Sequence, residues 1–81
     1  MDFFNYLESL RYRASRCHLS QKELAKQTGI ALSTLNTHLN RPGSLRLWEL
    51  QKIKDIIEAE EKKSGMIWIQ EGAGGRYETT V

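Results

Sequence analysis

The chain has 81 residues, of which 40% are hydrophobic and 27% charged, with a formal net charge of +2 and a single cysteine, Cys17. That length supports one compact core near the lower limit for folding alone, and one cysteine excludes an intrachain disulfide or a multi-cysteine zinc site, so a reducing, cytoplasmic setting is expected. No stretch approaches the roughly 20 apolar residues of a membrane helix, and the opening Met-Asp-Phe-Phe lacks the basic flank of a signal peptide.

Asp2 can cap a first helix, predicted over about residues 3–17, in which Phe3, Leu7, Leu10, Ala14 and Cys17 recur at steps of three or four. Ser20 followed by Glu23 reads as a capping box, so a second helix starts at Gln21. It can run only to Thr28, because Gly29 suits the left-handed residue that ends a helix. After the short turn Gly29-Ile30-Ala31, Leu32 to Asn40 has no breaker, carries Leu35 and Leu39 at helical spacing, and stops before Pro42-Gly43. This is the expected third helix.

Ser44 can cap a fourth helix, whose expected apolar stripe is Leu47, Leu50, Ile53 and Ile57, widened by Trp48 and Ile56. The run Glu58 to Lys63 places acids ahead of lysines on what reads as a solvated face, and the helix should fray near Ser64-Gly65. From Met66 two β-prone runs surround a glycine-rich turn, and both a hairpin and an unpaired tail remain open. The division expected is therefore 1–65 for the helical domain and 66–81 for a C-terminal segment.

Charge is uneven along the chain. Residues 1–46 carry Arg11, Arg13, Arg16, Lys22, Lys26, Arg41 and Arg46 against Asp2, Glu8 and Glu23, whereas most acids lie beyond Leu47. A basic half of this kind is a candidate surface for nucleic acid. Other chemistry is poorly supported: Cys17, His18 and His38 lack zinc-site spacing, and Gly72-Ala-Gly-Gly75 does not join a strand to a helix as a phosphate loop does. Without a recognisable nucleophile–base or carboxylate constellation, no enzyme, cofactor, metal or small-molecule ligand is expected.

Two short helices joined by a three-residue turn over residues 21–40 carry the most specific signal. Ala25 permits a close crossing, Gly29 the left-handed turn, and Leu24, Ile30 and Leu35 hold the pair together. The run Leu19-Ser-Gln-Lys-Glu-Leu-Ala-Lys-Gln-Thr-Gly-Ile-Ala-Leu-Ser-Thr-Leu35 resembles the Cro and phage-repressor helix-turn-helix family, also called the xenobiotic-response-element family, over about residues 5–58. The resemblance implies an all-α, lambda-repressor-like bundle of four or five helices, to which the β-prone C-terminal runs could add a strand or hairpin. It also implies sequence-specific binding of double-stranded DNA by a small repressor-like transcriptional regulator, with helix three, residues 32–39, in the major groove.

The family's phosphate-touching glutamine matches Gln21, and its base-reading positions fall on Leu32 and Ser33, with Asn36 and Thr37 one turn further on. Lys22, Arg41 and Arg46 flank the helix starts and the following loop, and join Gln21 as backbone candidates. Three departures stand out. Ala31 replaces the usual polar cap of helix three, His38 replaces a branched apolar residue, and Ala14 and Leu39 replace a common arginine–glutamate pair. His38 is expected to pack its ring and bond backbone or solvent. The apolar Ala14 and Leu39 together favour an intact fold.

No arginine lies among the base-reading positions, so modest intrinsic specificity is expected unless dimerisation adds to it. Met66-Ile-Trp-Ile-Gln70 would be an unusual apolar patch if left in water. It can pack on its own bundle or pair with the same segment of a second chain; the homodimer, centred on Ile67, Trp68 and Ile69, is the expectation adopted. The rival reading keeps the fold but makes it a protein-interaction adaptor or an antitoxin, supported by apolar Leu32 and Ala31 at base-reading positions.

Overall fold

The computed structural model describes residues 3–72 and 74–79, apart from the side chains of Phe4 and Pro42, so the proposed cap at Asp2 lies outside the described residues. Four helices, α1 (Phe3–Arg16), α2 (Gln21–Thr28), α3 (Leu32–Asn40) and α4 (Leu47–Lys63), precede a hairpin of β1 (Met66–Glu71) and β2 (Gly74–Thr79). A 3-10 turn, Pro42–Ser44, lies between α3 and α4. The described chain is thus four helices followed by a β-hairpin, the hairpin being one of the two outcomes left open for the C-terminal runs. No helix among the described residues is long and apolar enough to cross a membrane.

α1 ends one residue earlier than the apolar spacing suggests. The His18 amide donates to Ser15 and the Leu19 amide to Ala14 at 3.1 and 2.8 Å, the two reversed bonds of a Schellman close. His18, at φ 59°, occupies the left-handed position that glycine usually takes. At the start of α2 the Glu23 amide donates to Ser20 Oγ at 3.1 Å, as expected. The second half of the capping box is replaced by a bond from Gln27 Nε2 to Glu23 Oε1 at 3.0 Å. Gly29 takes φ 78° and its amide closes on Ala25. Buried Thr28 completes the turn, donating from Oγ1 to Leu24 O at 2.7 Å and accepting the Ile30 amide at 3.3 Å.

The core joins α1, α2, α3 and α4 through Leu7, Leu10, Ala14, Leu24, Ala25, Leu35, Leu39, Ile53 and Ile57, with Ile30 sealing the turn. Each fully buried leucine or isoleucine contributes roughly 1.5–3 kcal/mol of transfer free energy. Ala14 and Leu39 lie in this core, where the resembled family often has an ion pair.

The fourth helix departs from its expected phase. Ser44 closes the 3-10 turn on Arg41 O through both amide and hydroxyl, at 2.9 and 2.8 Å, and lies two residues before the cap position of α4, so it does not cap the helix. Arg46 occupies the cap position, and its amide donates to Glu49 Oε1 at 2.8 Å. The buried stripe then reads Glu49, Ile53, Ile57 and Glu61, with Leu50 and Ile56 at its margins. Leu47 is six residues before Ile53, about 240° round the helix, and is accordingly 80% exposed, with Trp48 50% exposed.

Glu61 corrects the reading of residues 58–63 as wholly solvated surface. It is 4% exposed and makes a bidentate pair with Arg13, Nε to Oε2 at 2.8 Å and Nη2 to Oε1 at 2.7 Å. Its partner is 48 residues away, which local charge spacing could not reveal.

The hairpin is antiparallel with Trp68 opposite Tyr77, Ile67 opposite Glu78 and Ile69 opposite Arg76. Side chains alternate between its faces. Trp68 and Tyr77 form an edge-on pair with centroids 5.1 Å apart and meet Tyr12 of α1, while the Arg13 guanidinium lies 5.3 Å from the Trp68 ring centre. The other face carries Ile67, 47% exposed, with Ile69, Arg76 and Glu78. A Cβ on Gly75 would strike Ile69 O and the Trp68 ring, so only glycine lets the indole lie across β2 at this point.

Candidate nucleic-acid interface

The turn between α2 and α3 leaves the start of α3 uncovered. Leu32 is 46% exposed, and Ser33, Thr34, Asn36 and Thr37 are exposed, while Leu35 and Leu39 on the opposite side are buried. This division follows the helical period: the apolar residues at i and i+4 hold the helix, and the polar ones between them face out. Ala31 makes no side-chain cap bond.

An open cleft between α2 and α3 brings together Gln21, Lys22, Leu32, Ser33 and Asn36. Five of the eight residues singled out from the sequence for DNA contact therefore share one concave surface. A second cleft, between the end of α1 and the start of α2, is lined in part by Arg11, Ser15, His18, Ser20 and Gln21, so Gln21 borders both. Thr37 is exposed on α3 but its Oγ1 donates to Ser33 O at 3.0 Å. Arg41 and Arg46 are exposed at the end of α3 and the start of α4, and neither lines the α2–α3 cleft.

Two residues not singled out reach this surface. Asn40 Nδ2 donates to Asn36 Oδ1 at 3.2 Å, and Arg11 Nη1 donates to Asn40 Oδ1 at 3.4 Å. The i, i+4 spacing of Asn36 and Asn40 was a legible signal for the first bond. The second joins residues 29 apart and had no local signature.

His38, expected to bond backbone or solvent, instead bonds a carboxylate. Its Nδ1 stands 2.9 and 3.0 Å from the two oxygens of Glu49, which is 2% exposed. Glu49 therefore links the side of α3 facing away from the cleft to the first turn of α4.

Of the three residues assigned to a chain–chain contact, Trp68 packs on its own chain through Tyr12, Tyr77 and Arg13, while Ile67 is exposed. Beneath them, burial pushes the Glu61 carboxyl up, but hydrogen bonds from Arg13 and Tyr77 and the charge of Arg13 outweigh it and leave the group below its ordinary value. Burial, then the bond to Glu61 and its charge, raise the Tyr77 hydroxyl above its ordinary value.

No curated protein and no solved structure matches the chain. Residues 14–41, about a third of the chain, match a family model described as winged helix-turn-helix DNA-binding. The matched segment runs from the end of α1 through α2, the turn and α3 to Arg41, and so contains the cleft. The hairpin of this chain follows α4 rather than α3. Match and fold together support a helix-turn-helix DNA-binding regulator in general terms.

Proposed function

We propose that the chain is a small repressor-like transcriptional regulator of the Cro and phage-repressor type that binds double-stranded DNA sequence-specifically, with α3 in the major groove. The observation that carries this reading is the exposed polar start of α3 beside Gln21 and Lys22 in one cleft. Gln21, Lys22, Arg41 and Arg46 take the phosphate contacts that set affinity and register. Ser33, Asn36 and Thr37 meet base edges, and Leu32 packs on a thymine methyl. Selection of sites from random duplexes tests both parts. A recovered consensus whose affinity falls steeply with salt is expected; no consensus, or salt-independent affinity, overturns the reading.

We further propose that residues 1–65 bind DNA and residues 66–81 support a homodimer. Ile67 and Ile69, on the outer hairpin face, supply its contact, with Trp68 behind them as support. Two recognition helices would then stand about one duplex turn, roughly 34 Å, apart. Sedimentation of the full chain against a 1–65 truncation tests this: equal mass, with equal affinity for a two-half-site duplex, removes the segment from assembly.

The exposed Leu32, Leu47 and Trp48 favour one second reading, a protein-binding adaptor or antitoxin on the same fold. Absence of duplex binding at low salt selects it.

A further inference from the structure

Arg11, Asn40 and Asn36 form a hydrogen-bonded chain from α1 across the end of α3 to the α2–α3 cleft. The chemistry of the first member sets the direction of the rest. A guanidinium has donors and no acceptor, so it can meet only the carbonyl end of the Asn40 amide. That turns the Asn40 NH2 toward Asn36, where it can meet only a carbonyl. Asn36 thus holds its Oδ1 against Asn40, and its Nδ2 takes no bond among the described residues. An isolated asparagine can rotate its amide and present either end.

We propose that Arg11, acting through Asn40, is a specificity-determining positioning residue: it fixes Asn36 with its NH2 toward the DNA, so that Asn36 reads a base-edge acceptor. This rests on the reading of α3 as the helix in the major groove. In the major groove guanine offers two adjacent acceptors, N7 and O6, and thymine O4, whereas cytosine offers a donor and adenine sets the N6 donor beside its N7 acceptor, an edge that only an amide presenting both ends satisfies. The relay therefore selects guanine or thymine at the base that Asn36 faces and works against adenine. Arg11 also stands 3.7 Å from Glu8, which helps keep the guanidinium on the α1 side of Asn40.

The experiment is site selection from random duplexes with the full chain and four variants. Asn36→Ala identifies the base pair concerned as the position where preference disappears. Arg11→Ala and Asn40→Ala free the Asn36 amide, and adenine at that position should rise about tenfold relative to guanine while other positions keep their preference. Asn40→Asp leaves an acceptor for Arg11 but draws the Asn36 NH2 toward the new carboxylate, so Oδ1 faces outward and preference should move from guanine to a base-edge donor, adenine or cytosine, with α1 untouched. A plain phosphate role for Arg11 would weaken all sequences together without changing the profile. Thermal melts of each variant confirm that the fold is retained.

If the wild-type chain selects adenine or cytosine at that position, the relay is overturned. It is also overturned if the Arg11, Asn40 and wild-type profiles coincide there; α3 then still stands as the reader. If wild type selects no sequence, or Asn36→Ala changes no position, the reading of α3 fails and the relay falls with it.

Discussion

The Tyr77 hydroxyl of β2 donates to the Glu61 carboxylate of α4 at 2.6 Å, and the same carboxylate holds the Arg13 guanidinium of α1 by two bonds. Three elements far apart in sequence are thereby fastened at one buried charge. Removing one member of such a pair leaves the other stranded, so Arg13→Met should destabilise the fold by about 3–5 kcal/mol. Replacing both, Arg13→Met with Glu61→Leu, should recover at least half of that loss. Chemical denaturation of the single and double variants checks both figures. Tyr77→Phe removes one bond to a charged group and should cost about 1.5–3 kcal/mol.

The Glu61 value fixes the direction of acid sensitivity. Its folded pKa is lowered, so its contribution is complete above the unfolded carboxylate value of about 4.3 and is lost as pH falls through the folded value. Between neutral pH and pH 2, wild-type stability should therefore fall more steeply than that of Glu61→Gln. Denaturant midpoints across this range measure the difference, and parallel profiles would remove Glu61 from the acid limb. Tyr77 acts at the other end: its raised value makes its contribution full below the unfolded phenol value of about 10 and lost above it.

His18 closes α1 at φ 59° with its side chain exposed, and a left-handed residue other than glycine costs roughly 1–2 kcal/mol. His18→Gly should recover about 1 kcal/mol, which in a domain of this size raises Tm by roughly 4–8 °C. A lowered Tm would mean that the imidazole makes a compensating contact.

Gly75 tests the seat of the hairpin. Gly75→Ala places a methyl group against Ile69 O and the indole, so Trp68 must shift from its place beside Arg13 and Tyr77. The expected cost is about 1–3 kcal/mol, with a change in tryptophan emission in the folded state. Unchanged emission and stability would show that β2 yields there at no cost.

The α2–α3 cleft was legible because its signals are local. Ser20, Gly29 and the spacing of Leu24, Ala25, Leu35 and Leu39 fix α2, the turn and α3 through bonds and contacts within a few residues. Ser44 is a plausible cap for α4 from its residue type, yet it belongs to the 3-10 turn; the cap falls on Arg46, the helix begins at Leu47, and its inward face carries Glu49, Ile53, Ile57 and Glu61. Both glutamates are tolerated inside because His38, Arg13 and Tyr77 arrive from elsewhere in the fold and the Arg46 amide bonds Glu49 within the first turn of α4. The hairpin was foreseeable as two β-prone runs, but Tyr77 gave no sequence signal that it would bind α4.

The lock between residues 13, 61 and 77 also bears on the order of events in folding. The α2–α3 unit closes over a few residues and can form on the microsecond scale of helices and short loops, whereas Arg13 must meet Glu61 across 48 residues and Tyr77 must then be seated on them. Contacts made after the rate-limiting step govern unfolding rather than folding. Tyr77→Phe should therefore leave the refolding arm of a chevron plot nearly unmoved and raise the unfolding arm, making the hairpin the element that sets the native state's lifetime.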